Sequence, residues 1–447
     1  MSHSLANELN AAIQKESPDL FSMLSALGRE FYFPKGILTQ TAEARAKAKR
    51  FNATIGIAKE KGEPMFLPAV MNQLPTLSAQ EALNYAPSFG SPELRQAWKK
   101  EILEKNPSLS ASAIGTPVVT CGITHGLSVA ADLFADGGDP VLVPDQLWGN
   151  YNMVFGLRRG ARMVRYPLFS RDGGFDGKGF AAALETVAPG HKMLVLLNFP
   201  NNPTGYTPTE SEADGIAQTL VALARSGRRI VALCDDAYFG LAFEPGVAKE
   251  SLFAKLAGRH PNLLAIKLDG ATKEDYVWGF RVGFLTFPGP AKSAEALEKK
   301  AAGAVRGAVS NVSQLSQSVV LKAMAAPSYK EDKKRKYEVM KARYDRAKAV
   351  LAKPGYADVW TPYPFNSGYF FCVKLKGLNA EAYRLHLLDK HGVGVIATAP
   401  TDVRVAFSCL EVDEVEPMFS LMRQAALELK GDPKASDLSL YAEAFEE

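Results

Sequence analysis

Three residues near the ends of apolar segments could together do covalent chemistry on a carbonyl compound. Lys273 follows the apolar segment 263–269, and Arg281 comes eight residues after the lysine. Asp235 lies near the end of the apolar segment 228–236. A lysine amine can bond to an aldehyde, a carboxylate can keep a ring nitrogen protonated, and an arginine can bind a phosphate through charge-assisted hydrogen bonds. Because ligands of α/β sheets bind at the carboxyl ends of the strands, this placement indicates one site.

The neighbours of Asp235 leave an alternative open. Asp236 is an adjacent acid, but the alternation of a strand directs only one of the two side chains to a given face. An acid that closes a buried strand also commonly caps the next turn or helix, and a lysine after a strand is commonly solvated. Tyr238 follows at the same strand end, where it could hydrogen-bond a phenolic ring oxygen.

Two turns lie at further strand ends. NFPNNPTG (198–205) forms a turn by its own chemistry, which explains its proline and glycine but leaves Asn202 as an amide donor at the same edge. CGITHGL (121–127) connects a predicted strand to a predicted helix. Backbone N–H groups at the start of a helix bind anions, and Thr124 adds a hydroxyl there.

An α/β domain is predicted to position these residues. Several apolar runs are rich in Val, Ile and Leu, as in strands that are buried on both faces of a mostly parallel sheet. Helical patterns such as 210–227 lie between them. The predicted strands are 117–121, 140–144, 161–168, 192–199, 228–236, 263–269 and 281–287.

The pattern changes near residue 330. A long charged amphipathic helix is predicted over 329–353, followed by strands near 368–375 and 402–410 and a helix from Val412. The basic run Lys330 to Lys336 is predicted to be a solvated helix face, with binding of an acidic partner as the alternative.

We predict three parts of the chain. Residues 1–65 form an N-terminal arm and part of a small domain, 66–330 form the large α/β domain, and 331–447 form a C-terminal small α+β domain.

The composition excludes several classes of protein. Of the 447 residues, 47% are hydrophobic and 22% charged, which is typical of a globular protein with a sizeable core. A net charge of +4 is too small to imply nucleic acid binding. The four cysteines and six histidines show no ligand spacing, so we predict no metal site and a reducing compartment. The N-terminus lacks the apolar core of a signal peptide and no run of about 18 apolar residues exists, so we expect a cytoplasmic protein without a membrane span.

Taken in order, these motifs resemble those of the class I/II aminotransferases, closest to the aspartate and aromatic branch. The resemblance covers residues from about 50 to 410. It rests on a Gly-x-Thr turn, an aromatic residue after a strand, NNPTG, DDAY, a lysine followed eight residues later by an arginine, and DVRVAFS near the C-terminus. It implies fold type I of the enzymes that depend on pyridoxal 5′-phosphate (PLP), with a mostly parallel seven-stranded sheet flanked by helices. A small α+β domain formed by N- and C-terminal segments completes that fold.

The resemblance also implies roles for individual residues. Lys273 is the Schiff-base lysine that moves the proton, with Tyr238 and Asp235 as the other catalytic residues. The implied cofactor contacts are Asp235 at the pyridinium nitrogen, Asn202 and Tyr238 at the 3-oxygen, Trp148 stacked on the ring, and Ile123, Thr124 and Arg281 at the phosphate. Arg404 clamps the α-carboxylate of the substrate, a geometry that suits a guanidinium. Tyr85 reaches the phosphate of a neighbouring subunit, which implies a homodimer with shared active sites.

One position departs from the family pattern. The family usually has a Ser or Thr three residues before the lysine, where it helps to bind the phosphate. This sequence has Gly270 there and Thr272 directly before the lysine. A phosphate contact is therefore expected to be lost or rerouted.

Two residues bear on the choice of amino acid. Gly56, in TIGIAKEKGEPMFLPAV, lies in a segment similar to one near the substrate in the aspartate and aromatic branch. Arg306, in AVRGAVSN, has a context similar to that of the arginine that binds the side-chain carboxylate in aspartate aminotransferases. We therefore hypothesise that Arg306 binds a distal carboxylate across the dimer, with a solvated helix arginine as the alternative.

The predicted reaction moves an amino group from an L-amino acid to a 2-oxo acid such as 2-oxoglutarate in two half-reactions, a ping-pong mechanism. A PLP-dependent lyase or decarboxylase on the same fold is the alternative. A PLP-sensing regulator is remote, because no helix-turn-helix segment precedes residue 50. A nucleotide-binding oxidoreductase is excluded because no strand is followed by G-x-G-x-x-G.

Overall fold

A seven-stranded sheet lies at the centre of the computed structural model, which describes residues 3–34, 36–289 and 291–440. Its strand order is β4-β10-β9-β8-β7-β5-β6, and β10 runs antiparallel to both of its neighbours while the other pairs are parallel. The mostly parallel seven-stranded sheet predicted from the sequence is therefore confirmed. In chain order the strands are β1 (Phe51–Asn52), β2 (Lys59–Glu60), β3 (Glu63–Pro64), β4 (Val118–Cys121), β5 (Pro140–Pro144), β6 (Arg162–Tyr166), β7 (Lys192–Asn198), β8 (Arg229–Asp235), β9 (Leu263–Gly270), β10 (Val282–Thr286), β11 (Trp360–Pro362), β12 (Phe370–Leu375), β13 (Val393–Gly394), β14 (Ile396–Ala399) and β15 (Asp402–Ala406).

Both faces of this sheet are covered, which explains the continuous apolar runs. Leu194 and Leu196 of β7 belong to one buried cluster, whereas Met193 and Val195 belong to another. Successive strand side chains point to opposite faces, so only a strand with helices on both sides can be apolar throughout.

Helices cover both faces of the seven-stranded sheet and connect its strands. They are α1 (Ser4–Glu16), α2 (Pro18–Met23), α3 (Ala26–Glu30), α4 (Ile37–Lys47), α5 (Pro68–Met71), α6 (Ala79–Leu83), α7 (Pro92–Lys105), α8 (Gly122–Phe134), α9 (Gly177–Glu185), α10 (Glu210–Arg225), α11 (Leu252–Leu256), α12 (Ala271–Glu274), α13 (Ala291–Ala308), α14 (Gln314–Ala325), α15 (Tyr329–Leu351), α16 (Ala380–His391), α17 (Val415–Glu428) and α18 (Pro433–Ser436). α10 shows why such helices begin where they do. Thr209 and Glu212 form a capping box at its start, which satisfies N–H groups that have no partner within the helix.

A second sheet, of four strands, is formed by the C-terminal part of the chain. Its order is β11-β12-β15-β14, with antiparallel pairing throughout. β1, near the N-terminus, pairs in parallel with β13 beside this sheet. The backbone N–H of Ala406, at the end of β15, also donates to the Ala53 carbonyl. Residues 53–58 are thereby held against the C-terminal part of the chain.

Most differences from the predicted elements lie at their ends. The strand predicted to reach residue 168 ends at Tyr166, since Pro167 has no N–H to extend the ladder. The helix predicted from Val412 begins at Val415.

The basic run of α15 was predicted to be a solvated helix face, but two of its lysines form ion pairs within the chain. Lys333 pairs with Asp275 at 3.1 Å, and Lys336 pairs with Glu60. These lysines bind acids of their own chain, so the prediction of a solvated face is wrong for them.

Helix α15 contacts both halves of the chain. Tyr329 at its start donates a hydrogen bond to Asp275, and Arg343 further along donates to the Ser408 carbonyl. The division into residues 1–65, 66–330 and 331–447 stays a prediction. In the described ranges, no helix is both long and apolar enough to cross a bilayer.

Candidate functional site

A cavity of about 460 Å³ opens at the carboxyl ends of β7, β8 and β9. The structure brings together there all the site residues predicted from the sequence except Tyr85 and Arg306. They are Gly56, Ile123, Thr124, Trp148, Asn202, Asp235, Tyr238, Lys273, Arg281 and Arg404.

Lys273 lies in the one-turn helix α12, directly after β9. Its amine donates a hydrogen bond of 3.0 Å to the Gly56 carbonyl, a neutral acceptor. Burial, together with the positive charges of Arg281 and Arg404, lowers the pKa of Lys273 to about 7. A substantial fraction of this amine is therefore uncharged near neutral pH, as an attacking amine must be.

Asp235 is the last residue of β8 and is fully enclosed at the floor of the cavity. Its Oδ2 accepts a hydrogen bond of 2.5 Å from the Tyr151 hydroxyl. Burial raises the pKa of Asp235 to about 6, and the Tyr151 hydrogen bond opposes that rise. A cationic ring nitrogen placed beside it would favour the ionised carboxylate.

The opposite end of the cavity is built for an anion. Ile123 and Thr124 belong to the first turn of α8, whose N–H groups have no partners within the helix. Arg281 lies against the same turn, because a Cβ added to Gly122 would come within 2.4 Å of its Nη2. Arg281 itself has a left-handed backbone (φ 54°), a conformation that costs free energy in a non-glycine residue and that clusters at functional sites.

Arg404 and Asn202 meet on a third side of the cavity. Arg404, in β15, donates through Nη1 to the Asn202 Oδ1 at 3.1 Å and through Nη2 to the Thr54 carbonyl at 2.8 Å. The guanidinium carbon lies 4.2 Å from the centre of the Phe370 ring. These contacts hold the fork of a buried arginine rigid, which is suited to bidentate binding of a carboxylate.

Tyr238 and Trp148 complete the aromatic part of the wall. The Lys273 amine lies 5.3 Å from the centre of the Tyr238 ring. Burial raises the pKa of Tyr238, so its hydroxyl remains protonated and can donate a hydrogen bond. The Trp148 ring packs edge-on against Tyr151 at 5.5 Å between ring centres. Gly56 lies close by, since a Cβ there would be 3.7 Å from the Lys273 amine.

Tyr85 and Arg306 lie outside this cavity. Tyr85 is 91% exposed. Arg306, at the end of α13, donates to the Ser310 hydroxyl at 2.5 Å on the surface. Both residues were predicted to act on the site of a second copy of the chain, and that role stays a prediction.

Several residues of the cavity were not predicted. Tyr151 follows Trp148 by three residues, but no local pattern connects it with Asp235, which is 84 residues away. Six others are apolar and come from the N-terminal segment, from the loop after α12 and from β12. They are Ile37, Leu38, Ile55, Ile57, Trp278 and Phe370. The remaining three lie at or just after the ends of β7, β8 and β9, and they are Asn198, Ala237 and Thr272.

A separate cluster joins two of the histidines that the sequence shows as scattered. The Nε2 atoms of His386 and His391 lie 2.8 and 2.9 Å from the same carboxylate oxygen of Glu428, and Lys390 lies 3.3 Å from it. The cluster ties the end of α16 to the end of α17.

Comparison with known proteins identifies a family that matches most of the chain. The family model "Aminotransferase class I and II" matches residues 54–419. A protein of Aquifex aeolicus named "Probable aspartate/prephenate aminotransferase" is 28% identical over 393 residues, which cover 85% of this chain and 93% of that protein.

Solved structures share the fold. An aminotransferase from Anaerococcus prevotii superposes with a TM-score of 0.79 at 21% identity, covering 90% of this chain and 98% of that one. A kynurenine aminotransferase from Pyrococcus horikoshii, solved in complex with PMP, with KYN as substrates and KYA as products, gives a TM-score of 0.75 at 16% identity. That match covers 92% of this chain and 98% of the other.

Proposed function

Since the chain belongs to the class I and II aminotransferases, we propose that it moves an amino group from an aspartate-like or aromatic L-amino acid to a 2-oxo acid such as 2-oxoglutarate by a ping-pong mechanism. The predictions of the family, of the α/β fold type I and of the PLP cofactor are confirmed. The observation that carries the proposal is that Lys273, Asp235 and Arg404 line one cavity.

The residues present fit PLP. Lys273 offers an amine whose pKa is about 7, and Asp235 offers a carboxylate for the ring nitrogen. The first turn of α8 and Arg281 offer donors for the phosphate. When bound, PLP supplies an electron sink that stabilises negative charge at the substrate Cα.

Arg404, Lys273 and Asp235 would each have a separate role in the reaction. Arg404 would hold the substrate carboxylate, so that the Cα–H bond faces the Lys273 amine. The neutral amine would remove the proton from the Cα of the amino donor and, in the second half-reaction, would deliver a proton to the Cα of the 2-oxo acid. The ionised Asp235, which is 2% exposed, would keep the ring nitrogen protonated.

The apolar walls of the cavity favour an aromatic amino acid as the amino donor. Ile37, Ile55, Trp278 and Phe370 line the same cavity as Arg404 with apolar surface. An aspartate-like donor needs a second cation, for which we propose Arg306 of a second copy. Proteins similar to this chain carry names of both kinds, aspartate/prephenate and kynurenine aminotransferase.

We also propose that the enzyme is a cytoplasmic homodimer with shared active sites. Leu83 and Tyr85, two residues apart, are 80% and 91% exposed, as expected of apolar side chains that another copy covers. Tyr85 would then reach the phosphate end of the other subunit's cavity.

The reaction type is tested with a panel of amino acids. We expect aromatic or acidic amino acids to convert the bound cofactor to its amino form, as seen by absorbance, and 2-oxoglutarate to convert it back with release of glutamate. Release of ammonia together with a 2-oxo acid such as pyruvate, without any amino acceptor, would instead identify a lyase. Loss of CO₂ would identify a decarboxylase.

The donor class is tested with Arg306→Ala. If Arg306 binds a distal carboxylate, the ratio of kcat/KM for aspartate to that for phenylalanine falls by roughly 10-fold or more, as expected for loss of a charged hydrogen bond. An unchanged ratio would show that Arg306 is a surface arginine, and it would leave an aromatic donor as the proposal.

A further inference from the structure

Two histidines and a glutamate meet in the C-terminal part of the chain, outside the cavity. The Nε2 atoms of His386 and His391 lie 2.8 and 2.9 Å from the same carboxylate oxygen of Glu428. The three atoms that could bind an ion lie within 4.8 Å of one another, and among the described residues this is the only group of three His, Cys, Asp or Glu side chains that does so. None of the three lines the cavity that contains Lys273.

Two packed helices hold these side chains. His386 lies within α16 and His391 is its last residue, whereas Glu428 is the last residue of α17. The Tyr383 hydroxyl of α16 donates a hydrogen bond of 2.9 Å to the Met422 carbonyl of α17, so the two helices are also joined near the cluster. Ligands that rigid elements already hold close together lose little conformational freedom when they bind an ion.

The Glu428 carboxylate has further partners on both of its oxygens. Gln424, one turn earlier in α17, donates through Nε2 to Oε1 at 3.0 Å. Such a hydrogen bond fixes the orientation of a carboxylate, as the outer partners of metal ligands do. The Lys390 amine lies 3.3 Å from Oε2, on a side chain that is 59% exposed and can turn into solvent.

Two imidazole nitrogens and one carboxylate oxygen form a typical ligand set for zinc and similar divalent ions. Zinc–ligand bonds of about 2.0–2.2 Å in a tetrahedral arrangement place the ligand atoms roughly 3.3 Å apart. The observed separations of 2.8 and 2.9 Å are short of that by about half an ångström. A small rotation of the Glu428 side chain, which lies at the surface, would open this space.

We propose that His386, His391 and Glu428 bind one divalent ion of the zinc class, with water in the fourth position. The H-x-x-x-x-H spacing is one residue longer than that of H-E-x-x-H, which is why the sequence predicted no metal site. The ion joins the end of α16 to the end of α17 and takes no part in chemistry in the cavity, so it binds whether or not the chain has the proposed activity.

Zinc chloride, titrated into PLP-loaded enzyme that carries no histidine tag, tests the site in competition with a chromogenic chelator. We expect the wild type to bind one zinc ion per chain. His391→Ala and Glu428→Gln should each bind it at least about 100-fold more weakly, because each removes a ligand. His191→Ala is the matched control, since it removes an exposed histidine outside the cluster, and its zinc affinity should equal that of the wild type.

Lys390→Gln separates an ion site from a cluster held only by hydrogen bonds. The Lys390 ammonium repels a divalent ion bound at Glu428, so its removal should tighten zinc binding by about 3- to 10-fold. This variant keeps all three ligands, and it therefore remains informative if His391→Ala fails to fold.

Several results would overturn the site. Equal zinc affinity in the wild type, His391→Ala and Glu428→Gln would show that zinc binds elsewhere on the chain. No binding by the wild type at about 100 μM zinc would show that the three side chains only bond to one another. A zinc affinity of Lys390→Gln that does not exceed that of the wild type would contradict an ion at Glu428.

Discussion

Lys267 and Lys273 lie six residues apart, in β9 and in the turn after it, yet their amines have opposite surroundings. Lys267 is buried and pairs with Asp236 and, at 3.5 Å, with Asp269. Burial alone would lower the pKa of Lys267, but the charges of these two acids outweigh it and raise the pKa. Lys273 has two cations as neighbours instead, and its pKa is lowered to about 7.

The two aspartates at the end of β8 repeat this contrast. Asp236 accepts a hydrogen bond of 2.6 Å from Ser251 and belongs to the buried ion cluster with Lys267. Asp235 lines the cavity, and among the described residues its side chain accepts hydrogen bonds only from the neutral Tyr151 hydroxyl and the Ala237 N–H.

The contrast shows that the charges of Lys267 and Asp236, away from the cavity, are paired with opposite charges of the same chain, whereas within the described residues Lys273 and Asp235 in the cavity are not. The ion cluster of Lys267, Asp236 and Asp269 pairs its charges within the chain, so removal of one member would leave an uncompensated buried charge. The cavity holds an acid and an amine with shifted pKa values at a cost in stability, which is the expected cost of a preorganised site.

The largest expected effect is that of Lys273→Ala. If this amine carries the cofactor and moves the proton, as we propose, its removal should lower kcat by at least about 10⁴-fold and abolish the absorbance band of the lysine-bound cofactor. Both are measured on the purified variant with added PLP. A variant that kept the band and the turnover would contradict the assignment of Lys273.

Lys267→Met is the matched control for the other lysine. It leaves Asp236 and Asp269 buried without their cation, so the free energy of unfolding in urea should fall by about 3–5 kcal/mol. The absorbance band should persist, because the amine of Lys273 is untouched. Loss of the band in a folded Lys267→Met protein would remove the distinction between the two lysines.

Asp235→Asn and Asp236→Asn should separate activity from stability. Asp235→Asn removes the charge that we propose holds the ring nitrogen protonated, so kcat should fall by about 10²- to 10³-fold with little change in the urea midpoint. Asp236→Asn should lower the urea midpoint and leave most of the activity. If both variants lost the same property, the alternation of the two side chains would not explain their roles.

The smallest expected effect is a pH dependence of cofactor capture. Only the neutral Lys273 amine attacks the aldehyde, so the rate of PLP uptake should rise through pH 7 and level off above about pH 8. Arg404→Gln removes a cation that lowers the pKa of Lys273, so its midpoint should move to higher pH. Stopped-flow absorbance between pH 5.5 and about 9 measures both profiles. A midpoint that stayed near the ordinary lysine value would contradict the lowered pKa.

The sequence alone determined the strands of the large sheet and the order of the polar residues at their ends. Burial on both faces makes a strand apolar throughout, and that property can be read along the chain without knowing what covers it. The segment 192–199 was predicted as a strand for this reason, and β7 occupies Lys192–Asn198. The alternation within a strand likewise indicated that only one of Asp235 and Asp236 could face a site at this edge.

Only the tertiary structure decided which distant groups meet. The contact of Tyr151 with Asp235 and the apolar wall formed by Ile37 and Phe370 join segments that are far apart in the sequence. The close packing at Gly270, where an added Cβ would lie 2.7 Å from the Val282 carbonyl oxygen, is likewise a tertiary contact. Local periodicity carries information about a residue's own face and burial. Local periodicity carries no information about the distant parts of the chain that the fold brings within 3 Å of that residue.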